Sequence, residues 1–261
     1  MQIVGNRRAA IGLATLAGVI ALWFLLTTVT GLVSGARFPS PAEFWVSLTQ
    51  IGGRGYAGAT LANHAVHSLK LVAMGFAFAV ITGIPLGLWM GWSRRVEALL
   101  NPIFLIIRPI PPLAWIPLAI LWLGLGDAAK IMVIWFSAFV PSVINAFTGV
   151  RNIERPVLEA ARMLGTPRWR MVREVIVPAA LPMIFTGLRL SLQASWTTLV
   201  AAELVGALVG VGFVLNMAQQ DIYPGMILVG MTTVGLLGWA TTMLLNRVER
   251  RALAWNVAAR D

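Results

Sequence analysis

The sequence predicts an all-α, polytopic membrane protein with six transmembrane helices, and three observations carry that prediction. The 261 residues are 58% hydrophobic and only 11% charged, whereas soluble chains run about a quarter charged. Six stretches each supply the ~20 mostly apolar residues that a helix needs to cross the hydrocarbon core. Most basic residues fall between those stretches, so the net charge of +10 reads as a topology signal and not as a nucleic-acid footprint.

The first span is 9–33, just after Arg7 and Arg8. Its apolar run is longer than the core of about 7–15 residues of a signal peptide. It is therefore expected to stay attached despite Ser34-Gly35-Ala36. The second span, 64–91, is uncharged from Leu71 through Trp92, and the third, 99–125, is interrupted by Arg108 and several prolines. The fourth is 129–150, the fifth 182–208 and the sixth 223–246. Placing both termini in the cytoplasm puts 14 of the 20 basic residues inside, against Arg37, Arg54 and Lys130 outside. That imbalance sets the orientation and fits an even number of spans.

Two connections carry structure of their own. Outside, Pro41 to Ile51 sets Phe44, Trp45, Leu48 and Ile51 on one helical face. Such a helix lies in the membrane interface or packs over the bundle mouth. Inside, 151–181 opens with a helix former, Pro156 to Leu164, with Leu158, Ala161 and Leu164 at helical spacing. Gly165 fits the position just past a helix end. Thr166 fits the next N-cap and Pro167 its first turn. Two short helices meeting at a glycine and lying flat under the membrane have the form of a docking surface.

Pro109, Pro111, Pro112 and Pro117 remove amide donors from the third span, and broken helices of this kind line a cavity or pack against protein. Ionisable residues within spans are costly and mark function or pairing. The candidate pathway residues are accordingly Arg108, Pro111, Pro112 and Trp115 in span three, and Ser195, Trp196, Thr198 and Glu203 in span five. Arg108 is expected to pair with a carboxylate, with contact to an anionic solute as the second reading. Glu203 is expected to pair within the bundle, and the hydroxyls serve equally well as glue between helices. Gly83, Gly87 and Gly91 form a small-residue stripe, expected to pack within the chain.

Several chemistries are disfavoured. There is no cysteine, and His64 and His67 are too few for a zinc site, so no metal is expected. No G-x-x-x-x-G-K-[ST] loop is present, and the lysines are Lys70 and Lys130 alone. The chain is therefore expected to bind no ATP and no cofactor. An embedded enzyme would need a cluster of acid, base or metal ligands; the ten carboxylates are scattered. The alternative transport class, a stand-alone secondary transporter or channel, would usually show internal repeats, and none is visible.

Glu159-Ala160-Ala161, three residues, Gly165, nine residues and Val175-Ile176-Val177-Pro178 resemble the EAA loop of ABC importer permeases, E-A-A-x3-G-x9-I-x-L-P, with Val in place of Ile and Leu. Arg108 to Leu118, Leu121 to Gly126, Pro178 to Pro182, Phe185 to Arg189, Phe38 to Pro41 and Glu249-Arg250-Arg251 are similar to stretches of the permeases for taurine, alkanesulfonates, nitrate and bicarbonate. The resemblance covers nearly the whole chain, read as one permease domain, 1–261, with a coupling loop at 151–181. It implies a type I importer fold in the bacterial inner membrane, working as a homodimer. It also implies two copies of a separate ATPase that holds ATP and Mg, and a periplasmic or lipid-anchored binding protein. The partners are thus protein and membrane lipid, with no nucleic acid. The chain itself would be no enzyme. Its solute would be a small anion, with taurine or another sulfonate first and nitrate, bicarbonate or a carboxylate open. Glu159, Ala160, Ala161 and Gly165, with Pro178 closing the motif, would make the coupling contact.

Overall fold

The computed structural model describes residues 2–31, 33–35 and 37–255, with side chains from residue 11 onward except at 13. Arg7, Arg8 and Arg260 of the topology count lie outside the described side chains. The regular elements among the described residues are helices: α1 (Gln2–Phe24), α2 (Pro41–Gly53), α3 (Leu61–Trp92), α4 (Arg94–Ile107), α5 (Ile116–Leu123), α6 (Asp127–Arg151), α7 (Arg155–Met163), α8 (Arg168–Arg170), α9 (Val177–Gly206), α10 (Val211–Gln220) and α11 (Pro224–Ala252).

The axis of the bundle is α6, on which no residue from Ala129 to Val150 is exposed. It is flanked by α3 and α9. Small residues make that close packing possible. A Cβ on Gly75, Gly87 or Gly91 of α3 would lie 2.4–2.6 Å from Ile134, Val143 or Val150 of α6. The predicted stripe therefore packs inside the chain. Between α6 and α9, Gly187 sits against Asn145 in the same way.

Four helices are long and apolar enough to cross a membrane, or five if the bent pair of α4 with Pro112–Leu123 is one span. In α1 and the π-helical turn after it, Leu25–Val29, the apolar part is Ala14–Val29. The sixth predicted span rests on this shorter stretch. Within the third span the chain bends by 85°. Three of the four residues from Pro109 to Pro112 are prolines, and the second, preceding another proline, is forced into extended backbone (φ −59°, ψ 137°).

The loop 151–181 departs from expectation after Gly165. In place of a second short helix, Arg168–Gly206 is one helical rod of 39 residues, about 58 Å long at 1.5 Å per residue. Pro178 has no N–H for the carbonyl four residues back. The ladder slips by one residue to meet it: Met171–Ile176 is π-helical, with the Val177 amide donating to the Val172 carbonyl. The N-cap preceding α8 is Pro167, one residue beyond the expected Thr166.

At the opposite end of the bundle, α2 packs over the mouth. Ser40 and Glu43 form a reciprocal capping box. Ile51 is buried with Val214, Met226 and Val229, and Phe44 and Leu48 pack beside it. Trp45, expected on that face, is instead 64% exposed. The short α10 that α2 covers was not foreseen. Tyr56 donates to the Asp221 carboxylate at 2.5 Å, and Tyr223 donates to Gln50 at 3.0 Å. Burial, then the bond to Asp221, push the Tyr56 phenol above its ordinary value.

Between α10 and α11, Ile222 holds φ +50° while 80% exposed. A β-branched residue there is strained. Ile222→Gly is expected to raise stability by about 1 kcal/mol, read as a higher Tm in detergent, because it releases strain and forfeits little packing.

Candidate functional site: a docked helix and a broken span

The two faces of α7 do different things. Inward, Leu158 and Ala161 pack on Ala146, Val150, Met171, Ile176 and Ala180, at the ends of α6 and the rod. Outward, Glu159 and Ala160 are exposed, and Met163 and Leu164 are 83% and 84% exposed. The helix ends in a Schellman arrangement: the Thr166 amide donates to the Ala161 carbonyl at 3.2 Å, and the Gly165 amide to the Arg162 carbonyl at 2.9 Å. Gly165 holds φ +69°, a conformation that glycine adopts without cost. The turn points Leu164 outward, where helical spacing had placed it inward with Leu158 and Ala161. Pro178 is half-buried in the rod and lies apart from the exposed face. The predicted coupling set thus divides: Glu159 and Ala160 face out, Ala161 anchors the helix, Gly165 makes the turn, and Pro178 shapes the rod.

At the break in the third span, Arg108 ends α4, exposed. The expected carboxylate pair does not form: among the described residues Glu97 pairs with Arg151, Asp127 with His67 and Lys130, Glu174 with Arg170, and Glu249 with Arg189. Pro111 is exposed and Pro112 half-buried. The Trp115 ring stacks on Phe136, centroids 4.3 Å apart. Its buried indole Nε1 has no hydrogen-bond partner among the described residues. Trp135, Phe139 and Phe104 continue the aromatic surface.

The span-five candidates are buried, and their polar atoms are satisfied within the chain. Ser195 donates back to the Ser191 carbonyl at 2.8 Å. Trp196 packs with Leu71, Ile134 and Leu199 and donates to Thr241 at 3.0 Å. Thr198 donates to Ser137 at 2.8 Å. Glu203 is fully buried and accepts from the Ser68 hydroxyl and the Gly212 amide, each at 2.7 Å. Ser68 accepts in turn from the Val211 amide at 2.9 Å, and His64 Nδ1 accepts from the Gly210 amide at 3.0 Å. An accepting Nδ1 leaves the proton on Nε2, which donates to the Tyr56 carbonyl at 3.0 Å. Three side chains from α3 and α9 therefore clasp the first amides of α10, groups that a helix start leaves unpaired. Glu203 does find its partners inside the bundle, as expected, but they are a hydroxyl and an amide. Ser68 and His64 gave no sign in the sequence, because their partner is backbone that folding alone brings near.

The family model for the binding-protein-dependent transport system inner membrane component matches residues 83–252. The chain is 35% identical over 252 residues to the taurine transport system permease protein of Escherichia coli (strain K12), covering 96% of this chain and 91% of that one. It is also 35% identical over 252 residues to the bicarbonate transport system permease protein of Synechococcus elongatus, covering 93% and 87%. A solved inward-facing structure of the methionine ABC transporter shares the fold, with TM-score 0.65 at 20% identity over 74% of this chain and 95% of that chain.

Proposed function

We infer the role of this chain from its family: it belongs to the binding-protein-dependent transport system inner membrane components, and it is the multi-pass permease of an ABC importer. We propose that the end carrying α7 and both termini is cytoplasmic, that the bent pair of α4 with Pro112–Leu123 and α1 bring the four long spans to six, and that the exposed rim of α7 engages a separate ATPase. ATP and Mg stay on that partner, and a binding protein delivers solute at the α2 end.

The observation that carries this reading is the divided helix α7. Met163 and Leu164, almost fully exposed on a well-anchored turn beside Glu159 and Ala160, need a partner to cover them. Because α7 is packed against both α6 and the rod, force on that rim reaches two spans directly.

The pathway is proposed along the break in the third span. Irregular backbone at membrane depth is stable only against protein or a water-filled cavity, and a second copy of the chain, facing the first, would enclose it. Arg108, exposed and without an ion-pair partner among the described residues, offers a cationic donor there, which suits a small anion. The proposed solute is a sulfonate such as taurine, with bicarbonate, nitrate and carboxylates as alternatives; relatives named for taurine and bicarbonate transport support this reading.

Co-purification with the ATPase subunit tests the docking. Glu159→Lys and Gly165→Pro are expected to cut recovered ATPase at least about tenfold while leaving the permease's Tm unchanged for Glu159→Lys, an exposed position. Undiminished recovery from both variants, or solute flux through vesicles holding this chain alone, would sink the proposal.

A further inference from the structure

Where three long apolar helices end beside α7, the chain carries a groove rich in arginine and poor in acid. Its central cavity, about 490 Å³, is lined by Trp92, Arg94, Arg151, Arg155, Glu159 and Arg162, among others. A second cavity of about 460 Å³ shares Arg94 and Arg151 with it, and a third of about 500 Å³ shares Trp92 and Arg162 and adds Arg168. The three thus share arginines around the base of the bundle. Arg151 is held by Glu97. Arg94, Arg155 and Arg162 have no ion-pair partner among the described residues. Glu159, on the rim, is the one carboxylate of the central cavity.

We propose that this groove binds the phosphodiester headgroup of an anionic phospholipid. Three features favour a lipid over any other bearer of phosphate. First, the floor is made by Gly91 and Val150, at the ends of the apolar helices α3 and α6, and by Ile176, in the foot of the rod just before the apolar α9, so the cavity lies at the level where hydrocarbon gives way to headgroups. Trp92, partly exposed at its edge, is the residue type enriched at that level. Second, α4 climbs away from the groove with Ala98, Pro102 and Leu105 exposed at helical spacing. Leu99, Ile103 and Ile106 beside them are 71%, 52% and 74% exposed. An acyl chain laid along α4 places its phosphate at Arg94. Third, planar guanidinium groups match phosphate oxygens in pairs, and basic pockets between helices on the cytoplasmic side take anionic headgroups. On α7 the groove is lined by Arg155, Leu158, Glu159 and Arg162 and not by Met163 or Leu164. The assignment rests on the membrane-spanning reading of the chain and not on ATPase docking, so failure of the Glu159→Lys test leaves it standing.

The test is lipid selectivity of the full-length chain in phosphatidylcholine vesicles, read by the motionally restricted fraction of spin-labelled phosphatidylglycerol relative to spin-labelled phosphatidylcholine. The wild type is expected to prefer phosphatidylglycerol. Arg94→Gln, Arg155→Gln and Arg162→Gln combined should lower that preference several-fold, since each basic residue near an anionic surface contributes separately; the Lys versions should keep most of it. Arg247→Gln, Arg250→Gln and Arg251→Gln, an equal change of charge away from the groove, should keep it as well. Retention by the groove variant, or an equal fall in the control variant, overturns the proposal. So does displacement of the labelled lipid by excess inorganic phosphate, which would make the site one for free anions. Displacement by added ATPase subunit would likewise overturn it, assigning the groove to the protein partner. A Tm within error of wild type certifies that the groove variant is folded, as exposed and unpaired side chains allow.

Discussion

Glu203→Ala should be the most damaging conservative-sized truncation in the bundle, lowering stability by about 3–5 kcal/mol. The carboxylate is fully buried and holds two donors, the Ser68 hydroxyl and the Gly212 amide. Its removal leaves both unsatisfied in a site that water does not reach. Space there is already committed: a Cβ on Gly210 would lie 2.2 Å from Glu203 Oε1, so Gly210→Ala should reproduce much of the loss. Ser68→Ala, which removes one donor and one acceptor, should cost about 1–3 kcal/mol. Thermal unfolding in detergent, with proteolysis of the segment between α9 and α10, reads all three. Equal Tm values for wild type and Glu203→Ala would show that the clasp carries no stability.

Gly87→Val is the second large effect. A Cβ there meets the Val143 carbonyl at 2.4 Å and the Ala146 Cβ at 2.8 Å. Both belong to the central helix, and neither is the free end of a flexible side chain. The helices must part, and every contact along the α3–α6 seam weakens together; overpacking of this kind costs at least about 3 kcal/mol. Gly235, on α11, has nothing within 4 Å of its would-be Cβ. Gly235→Ala should leave the Tm within error of wild type, which separates seam packing from any general intolerance of substitution. Loss of folded protein, followed by size-exclusion yield after detergent extraction, is the direct readout.

Local rules made much of this molecule legible. Uninterrupted apolar length marked the continuous spans, and Gly165 with the helix former before it marked α7 and its end. The proline cluster marked the break at Arg108. Readings failed where the outcome depends on what a segment meets in space. Spacing put Leu164 with Leu158 and Ala161, yet the left-handed turn at Gly165 swings it outward. Pro178 looked like the entrance of a new span, yet a slipped hydrogen-bond ladder absorbs it into one rod. Ser195, Trp196 and Thr198 looked like pathway contacts because hydroxyls and indoles in a span are ambiguous; Ser195 bonds back to its own helix, Trp196 to α11 and Thr198 to α6. Arg189 gave no sign of its partner Glu249, sixty positions away.

The unbroken rod from Arg168 to Gly206 carries a mechanical consequence. Its foot sits beneath α7 and its head bears the carboxylate that grips α10. Were the rod to tilt as one body, about 10° at the foot would displace the head by roughly 10 Å, given a length of 1.5 Å per residue. Such a tilt would tie the α7 end of the bundle to the α10 end by geometry alone, with no relay of side-chain rearrangements needed between them.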